Sequence, residues 1–168
     1  MAATTSIKEV NGASPGTPTS ITELIFCSKD LYNPGNSWGI LIPNSGYNYS
    51  FRKTIYLNAD TTPTTQITNV KFYCDGSIDW TGVEVFIGTM TTYSQATGTD
   101  GEGANQDANC TDNIENYTSS SPYSLTGTLS NPDTGKIHDD YLVLQAQASN
   151  SALPTTAAET FTFRYDES

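Results

Sequence analysis

The residues best suited to acid–base chemistry lie together in the stretch "GKIHDDY". His138, the only histidine of the chain, is followed directly by Asp139 and Asp140. A histidine oriented by a carboxylate can activate a serine or cysteine nucleophile, and a hydrolase of this kind is one interpretation of the stretch. However, the sequence has no G-x-S-x-G turn and no cysteine in a context that indicates activation. We therefore expect His138 to lie in a surface turn and the protein not to be an enzyme.

A loop of acidic and amide residues, "TDGEGANQDANCTDN", carries oxygen atoms of the kind that bind calcium. Its candidate ligands are Asp100, Glu102, Asn105 and Asp107. The order of residues breaks the EF-hand pattern at Ala104, and Asn105 stands where that pattern has glycine. A solvated loop is the favoured interpretation, with Ca²⁺ as the weaker alternative, and we expect no cofactor.

Three cysteines, Cys27, Cys74 and Cys110, are the remaining residues that could bind a metal or form a cross-link. Their number is odd and their spacing matches no zinc site. The sequence therefore predicts neither a zinc centre nor a disulfide framework, and it leaves open one disulfide between two strands.

Aromatic side chains in or beside loops are the best candidates for a binding surface. They are Trp38, Tyr47, Trp80 and Tyr93. Such side chains stack on sugar rings or anchor protein interfaces, and they also close the ends of a sandwich core. Because Trp and Tyr are largely buried on average, we favour packing in the core or in an interface over a carbohydrate platform.

The charge of the chain limits its partners. Eighteen acidic residues against seven basic ones give a net charge of −11 over 168 residues. Such a chain repels the phosphate backbone of nucleic acid, so no nucleic-acid partner is expected. The start "MAATTSIKEV" has no basic region followed by an apolar stretch, and no later run reaches the length of a membrane helix. We therefore expect a protein that folds in the cytoplasm, with no membrane partner.

Short alternating segments must position these residues. The stretches "YNYSFRKTIYLNAD", "GVEVFIGTM" and "DDYLVLQAQAS" alternate as half-buried strands do. Lys53 falls on the apolar side of the first strand and is expected to extend past the sheet edge. The final "AETFTFRYDES" is expected to pair with "YLVLQAQAS". Together with tight turns and no helix, these segments predict an all-β fold, an antiparallel β-sandwich of immunoglobulin-like or jelly-roll type.

Two segments differ in composition from these strands. Residues 1–20 are rich in Ala, Thr, Ser, Gly and Pro, and are expected to form a flexible N-terminal arm. Residues 21–168 are expected to form a single domain, because their length suits one core. Within that domain, residues 91–136 have many Gly, Asn, Asp and Ser but few aliphatic residues, which indicates one long loop excursion with at most a short strand.

The stretches "GYNYSFRKTIYL", "ITNVKFYCDGSIDW" and "ETFTFRYDE" resemble small structural proteins of tailed bacteriophages. The resemblance covers residues 20–90 and 140–167. It implies a protein of the virion, either an auxiliary capsid (decoration) protein or a tail or fibre component, that forms a homo-oligomer and contacts other virion proteins. It implies no catalytic residues. The alternative function is a surface module that binds carbohydrate through the loop aromatics.

Overall fold

The alternating segments of the chain form β-strands in a computed structural model that describes residues 2–35, 37–155 and 157–168. These residues include twelve strands and one turn of 3-10 helix, Ile114–Asn116. The strands are β1 (Thr5–Asn11), β2 (Thr17–Ile21), β3 (Tyr47–Tyr49), β4 (Lys53–Ala59), β5 (Gln66–Tyr73), β6 (Val83–Met90), β7 (Asp112–Asn113), β8 (Tyr123–Ser124), β9 (Leu129–Ser130), β10 (Gly135–Lys136), β11 (Tyr141–Ser149) and β12 (Thr162–Glu167). No helix in the described part of the chain is long and apolar enough to cross a membrane.

The strands form two antiparallel sheets that pack against each other. The larger sheet has the order β2-β1-β4-β11-β6-β7, with β10 beside β4 and β3 beside β11. The smaller sheet has the order β12-β5-β8, with β9 beside β5. The prediction of an all-β, antiparallel sandwich is therefore confirmed.

Apolar side chains between the two sheets form the main core. They include Ile55, Leu57, Ile67, Val70, Phe72, Val85, Ile87, Leu142 and Leu144, each at most 3% exposed. Full burial of one such side chain contributes about 1.5 to 3 kcal/mol to stability. The central strand β11 is buried on both faces, because Val143 packs with Met90 and Cys110 on the side away from this core.

The N-terminal segment belongs to the larger sheet and is not a flexible arm. β1 pairs with β4 over six consecutive residue pairs, and β2 pairs with β1. Most of the Gly and Pro residues that suggested an arm (Gly12, Pro15 and Gly16) lie in the turn between these strands, where Gly12 and Gly16 have φ values of 83° and 81°, and Pro18 lies in β2. For residues 2–20 the prediction of a separate arm is wrong, because a tight turn between strands and a mobile segment have the same composition.

The last two long strands belong to different sheets. β12 pairs with β5, whereas β11 lies between β4 and β6. The predicted pairing of β12 with β11 is therefore wrong. Alternation shows which side chains share a face of a strand, but it does not identify the neighbouring strand. The connection between them crosses from one sheet to the other.

Residues 91–136 form the long excursion that their composition predicts, with only two-residue strands and the 3-10 turn. The excursion also contributes to the interior, since Cys110 and Ile114 are completely buried. Cys110 packs on β11 and β6 on the outer face of the larger sheet. The segment therefore covers a sheet face that an ordinary surface loop would leave in solvent.

Candidate binding surface

A groove of about 680 Å³ opens at one end of the larger sheet, where β3 pairs with β11 and β6 begins. Two of the predicted aromatics, Tyr47 and Trp80, line it. Its polar lining includes Asp79, Glu84, Gln147, Ser149, Asn150 and Ser151. An open groove with aromatic and hydrogen-bonding side chains offers both stacking and hydrogen-bonding contacts to a polar ligand.

Strand pairing sets the floor of this groove. Gln147 of β11 lies opposite Glu84 of β6 on one side and Tyr49 of β3 on the other. Because Val85 and Ala146, their neighbours along the strands, face the main core, these three side chains point to the outer face of the sheet. The Gln147 amide donates a hydrogen bond of 2.6 Å to the Tyr49 hydroxyl. Gln147 is thereby fixed in place as part of the floor.

The wall formed by Trp80 is held by two interactions. Its indole Nε1 donates a hydrogen bond of 2.8 Å to the carbonyl oxygen of Ala157. Its ring meets Phe26 edge-on, with 6.2 Å between ring centroids. Next to it, Gly82 has a φ of 69°, and a Cβ there would lie 2.5 Å from the backbone nitrogen of Ala152. The turn that carries Trp80 therefore requires glycine, and the wall is rigid before any ligand arrives.

Several side chains that line the groove have no partner among the described residues. Tyr47 is 58% exposed. Among the described residues, no hydrogen bond or ion pair involves the side chains of Asp79, Glu84 or Asn150, which line the same groove. These side chains remain available to a ligand.

The two other predicted aromatics lie elsewhere. Trp38 is 37% exposed, and the Lys29 ammonium lies 4.3 Å from the centroid of its ring. Tyr93 is buried, and its hydroxyl donates a hydrogen bond of 2.6 Å to the carbonyl oxygen of Gly12 in the β1–β2 turn. Burial, with a smaller contribution from the charge of Asp30, raises the pKa of Tyr93 to about 12. Tyr93 thus holds the N-terminal strands in place, as the favoured packing interpretation expects.

The four candidate cation ligands do not converge on one point. Asp100 forms an ion pair of 2.9 Å with Lys29, and Asp107 forms one of 2.6 Å with the buried Arg52. The backbone carbonyl of Asn105 accepts a hydrogen bond from Gln145, and Glu102 lies in the turn of residues 99–103. No cluster of three or more His, Cys, Asp or Glu able to hold a metal is found in the described ranges. These contacts fasten the acidic loop to Lys29, to Arg52 just before β4, and to Gln145 of β11.

His138 is buried, so its predicted place in a surface turn is wrong. It is 1% exposed, and its Nε2 accepts a hydrogen bond of 3.0 Å from the backbone N–H of Leu57. Its Nδ1 lies 2.5 Å from the carbonyl oxygen of Asp140, which fixes the proton on Nδ1. Burial lowers the pKa of His138 to about 4, against the opposing effect of the Asp140 hydrogen bond. Both ring nitrogens are used, and neither is free to serve as a base.

Cys27, Cys74 and Cys110 are all buried, free thiols, so the open alternative of a disulfide is not realised. Burial raises the pKa of Cys74 and of Cys110. A thiol becomes nucleophilic as its thiolate, which a raised pKa disfavours. These side chains pack as small apolar groups.

One buried ion pair in the structure was not predicted from the sequence. Lys53 and Glu9 are 1% and 0% exposed, and the Lys53 Nζ lies 3.0 Å from Glu9 Oε1. The same ammonium donates a hydrogen bond of 2.7 Å to the carbonyl oxygen of Leu31. Burial raises the pKa of Glu9, while the charge of Lys53 opposes that rise. The expectation that Lys53 extends past the sheet edge is therefore wrong; its partner lies in the segment expected to be an arm.

Comparison of this chain with models of protein families, with curated proteins and with solved structures finds no match. A proposal about function must therefore start from the chain's own surface and from the placement of its reactive groups. His138 and the three thiols are in the interior, and most of the large exposed apolar residues in the described part of the chain come from one segment, 32–47.

Proposed function

We propose that this protein is a non-enzymatic structural component of a virion, an auxiliary capsid (decoration) protein that assembles with copies of itself. One observation carries the proposal. Five of the six large exposed hydrophobic residues in the described part of the chain come from the segment 32–47: Tyr32, Trp38, Leu41, Ile42 and Tyr47, with Leu153 as the sixth. Exposed apolar groups concentrated in this way are typical of protein–protein contact surfaces.

Two backbone carbonyls within the segment 32–47, those of Trp38 and Leu41, accept hydrogen bonds from residues outside it. The carbonyl oxygen of Trp38 accepts hydrogen bonds from the backbone N–H of Ser28 at 2.7 Å and from its hydroxyl at 3.0 Å. The side-chain amide of Asn48 donates one of 2.8 Å to the carbonyl oxygen of Leu41. Leu41 and Ile42 lie beside these bonded carbonyls and are 53% and 44% exposed to solvent. Residues that hydrogen bonds already hold lose less entropy when they contact a partner.

The placement of the chemically competent groups supports an assembly role. His138 closes a gap in a sheet, the thiols pack in the interior, and the Glu9–Lys53 and Arg52–Asp107 pairs are inside the fold. These groups contribute to a rigid, acidic body. Its net charge of −11 disfavours nucleic acid as a partner, so the contacts of such a subunit would be with protein.

Analytical ultracentrifugation tests the proposal. The wild-type protein is expected to form an oligomer, and the double variant Leu41→Ser/Ile42→Ser is expected to sediment as a folded monomer. Leu153→Ser is the matched control, because Leu153 is 60% exposed but lies outside the segment. Wild type that stays monomeric as the concentration rises, or an oligomer unaffected by the double variant, would exclude assembly through this segment.

Location in the particle requires a second experiment. Mass spectrometry of purified particles from the genome that encodes the chain should detect the protein at a stoichiometry comparable to that of the major capsid protein. A few copies per particle would indicate a tail or fibre component instead. Complete absence from particles would overturn the virion proposal even if the protein self-associates.

A further inference from the structure

The groove beside β3 is lined by two aromatic residues, Tyr47 and Trp80, and by polar side chains. Tyr47 is largely exposed, and Trp80 is held by its hydrogen bond to Ala157. Sugar rings have one apolar face of C–H groups and a rim of hydroxyls, so they bind where an aromatic ring lies beside hydrogen-bonding groups. An aromatic ring and hydrogen-bonding groups both line this groove, and the turn that carries Trp80 need not rearrange to present them.

The available polar groups suit hydroxyl ligands. The carboxylates of Asp79 and Glu84 accept hydrogen bonds, and the amide of Asn150 both donates and accepts. None of the three has a partner within the described part of the protein. Each hydroxyl of a sugar is both a donor and an acceptor, and it can therefore satisfy either kind of group.

The charge of the groove favours neutral sugars over anionic ones. Two carboxylates line it, and no lysine or arginine does. The whole chain adds a net charge of −11. Uronic and sialic acids carry their own carboxylates and are repelled by such a lining, because nothing compensates their charge.

We propose that this groove binds a neutral oligosaccharide, with Tyr47 stacking on a sugar ring and Asp79, Glu84 and Asn150 binding its hydroxyls. The groove does not include Leu41 and Ile42, the residues whose exposure we assign to self-assembly. Tyr47, at the end of the segment 32–47, is assigned to the groove. A structural subunit that carries it would attach to neutral glycans at the surface of a cell.

Isothermal titration with a panel of tetrasaccharides tests this inference. The probes are cellotetraose, maltotetraose and chitotetraose as neutral chains, and tetragalacturonic acid as an anionic one. At least one neutral chain is expected to bind, with a Kd in the range of about 10 µM to 1 mM, and the anionic chain is not. Failure of all three neutral chains, or binding of the anionic chain alone, overturns the proposal.

Variants test whether the oligosaccharide binds in the groove. Tyr47→Ala is expected to raise the Kd for the neutral chain about tenfold or more, and Tyr47→Phe is expected to retain most of the affinity, since stacking needs the ring alone. Tyr32→Ala is the matched control, because Tyr32 is 45% exposed on the same connection but does not line the groove. Equal loss in the Tyr32 and Tyr47 variants would contradict this site. Circular dichroism of each variant establishes that it is folded, and sedimentation tests assembly separately.

Discussion

The imidazole of His138 completes the hydrogen bonding of Leu57, at a point where β4 has no neighbouring strand on the edge opposite β1. Along one edge of β4, β11 pairs with residues 53–55 and β10 pairs with residues 58–59. Between them, the backbone N–H of Leu57 donates to His138 Nε2 at 3.0 Å, and the carbonyl oxygen of Leu57 accepts from Ile137 at 3.0 Å. A side chain thus replaces one backbone acceptor and keeps the edge of β4 satisfied.

Acid should weaken the fold through this histidine. The pKa of His138 is lowered from its ordinary value of 6.5 to about 4 by burial. The unfolded chain therefore binds a proton that the folded chain excludes. The stability that depends on neutral His138 is complete above pH 6.5 and is lost as the pH falls through 4, by about 3 kcal/mol in total.

Urea unfolding at a series of pH values between 7.5 and 4 measures this effect. His138→Gln has no titrating ring and should show a flatter dependence than wild type. Glu9 acts in the opposite direction, because its raised pKa makes the folded chain bind a proton more readily on acidification. Subtracting the pH dependence of the variant's stability from that of wild type cancels the contribution of Glu9. Parallel curves for the two proteins would show that His138 does not carry the acid sensitivity.

Removal of one partner of the Glu9–Lys53 pair should be costly. Lys53→Met leaves the Glu9 carboxylate in the interior without its counter-ion, and we expect a loss of about 3 to 5 kcal/mol in the free energy of unfolding. The double variant Glu9→Gln/Lys53→Met removes both charges and should recover part of that loss. The control is Lys8→Met, which removes an exposed pair of 3.9 Å with Asp60 and should cost less than about 1 kcal/mol. A double variant less stable than Lys53→Met would contradict this account.

Gly88 of β6 should not tolerate a side chain. A Cβ there would overlap the carbonyl oxygen of Asn109 and lie 2.9 Å from its carbonyl carbon, so the covering segment would have to move away from the sheet. Gly88→Ala is expected to lower the free energy of unfolding by about 2 kcal/mol or more. Gly39→Ala provides the comparison, since nothing lies within 4 Å of a Cβ at that position. Similar unfolding midpoints for the two variants would show that the excursion is loosely attached.

The three thiols should be unreactive in the folded protein. Cys27, Cys74 and Cys110 are buried, and burial raises the pKa of the last two. Titration with an aromatic disulfide reagent at mildly alkaline pH should label no cysteine under native conditions within minutes, and three in urea. Mass spectrometry without reductant should give the mass of the chain with three free thiols, because disulfide formation would lower the mass by two hydrogens. Rapid labelling of the native protein would place at least one thiol at the surface.

The fold class could be predicted from the sequence because strand alternation is local. In "YNYSFRKTIYLNAD" and "GVEVFIGTM" the apolar residues recur at every second position, and both stretches contain strands. The strand that pairs with a given strand, in contrast, is not determined by local sequence. β12 alternates equally well whether it lies beside β11 or β5, so the pairing had to come from the structure. The same holds for β1, which the Gly- and Pro-rich composition of residues 1–20 obscured.

The candidate site was only partly predictable, for a related reason. Tyr47 and Trp80 were identified as loop aromatics, but only the pairing of β3 with β11 and of β11 with β6 brings them to one groove. Lys53 on the apolar side of its strand was a signal of a buried charge. Its partner Glu9 is 44 residues away, in a segment whose composition suggested no fixed structure. Long-range pairs of this kind are set by topology and leave no trace in local spacing.

The central position of β11 has a consequence for biosynthesis. β4 and β6 leave the ribosome well before residues 141–149, and until then no strand can join them. The nascent chain therefore exposes two unpaired strand edges between the synthesis of β6 and that of β11, and edges of this kind are where chains associate wrongly. We infer that β4 and β6 are joined into one sheet only after residues 141–149 have emerged, so that this interval is an opportunity for misfolding.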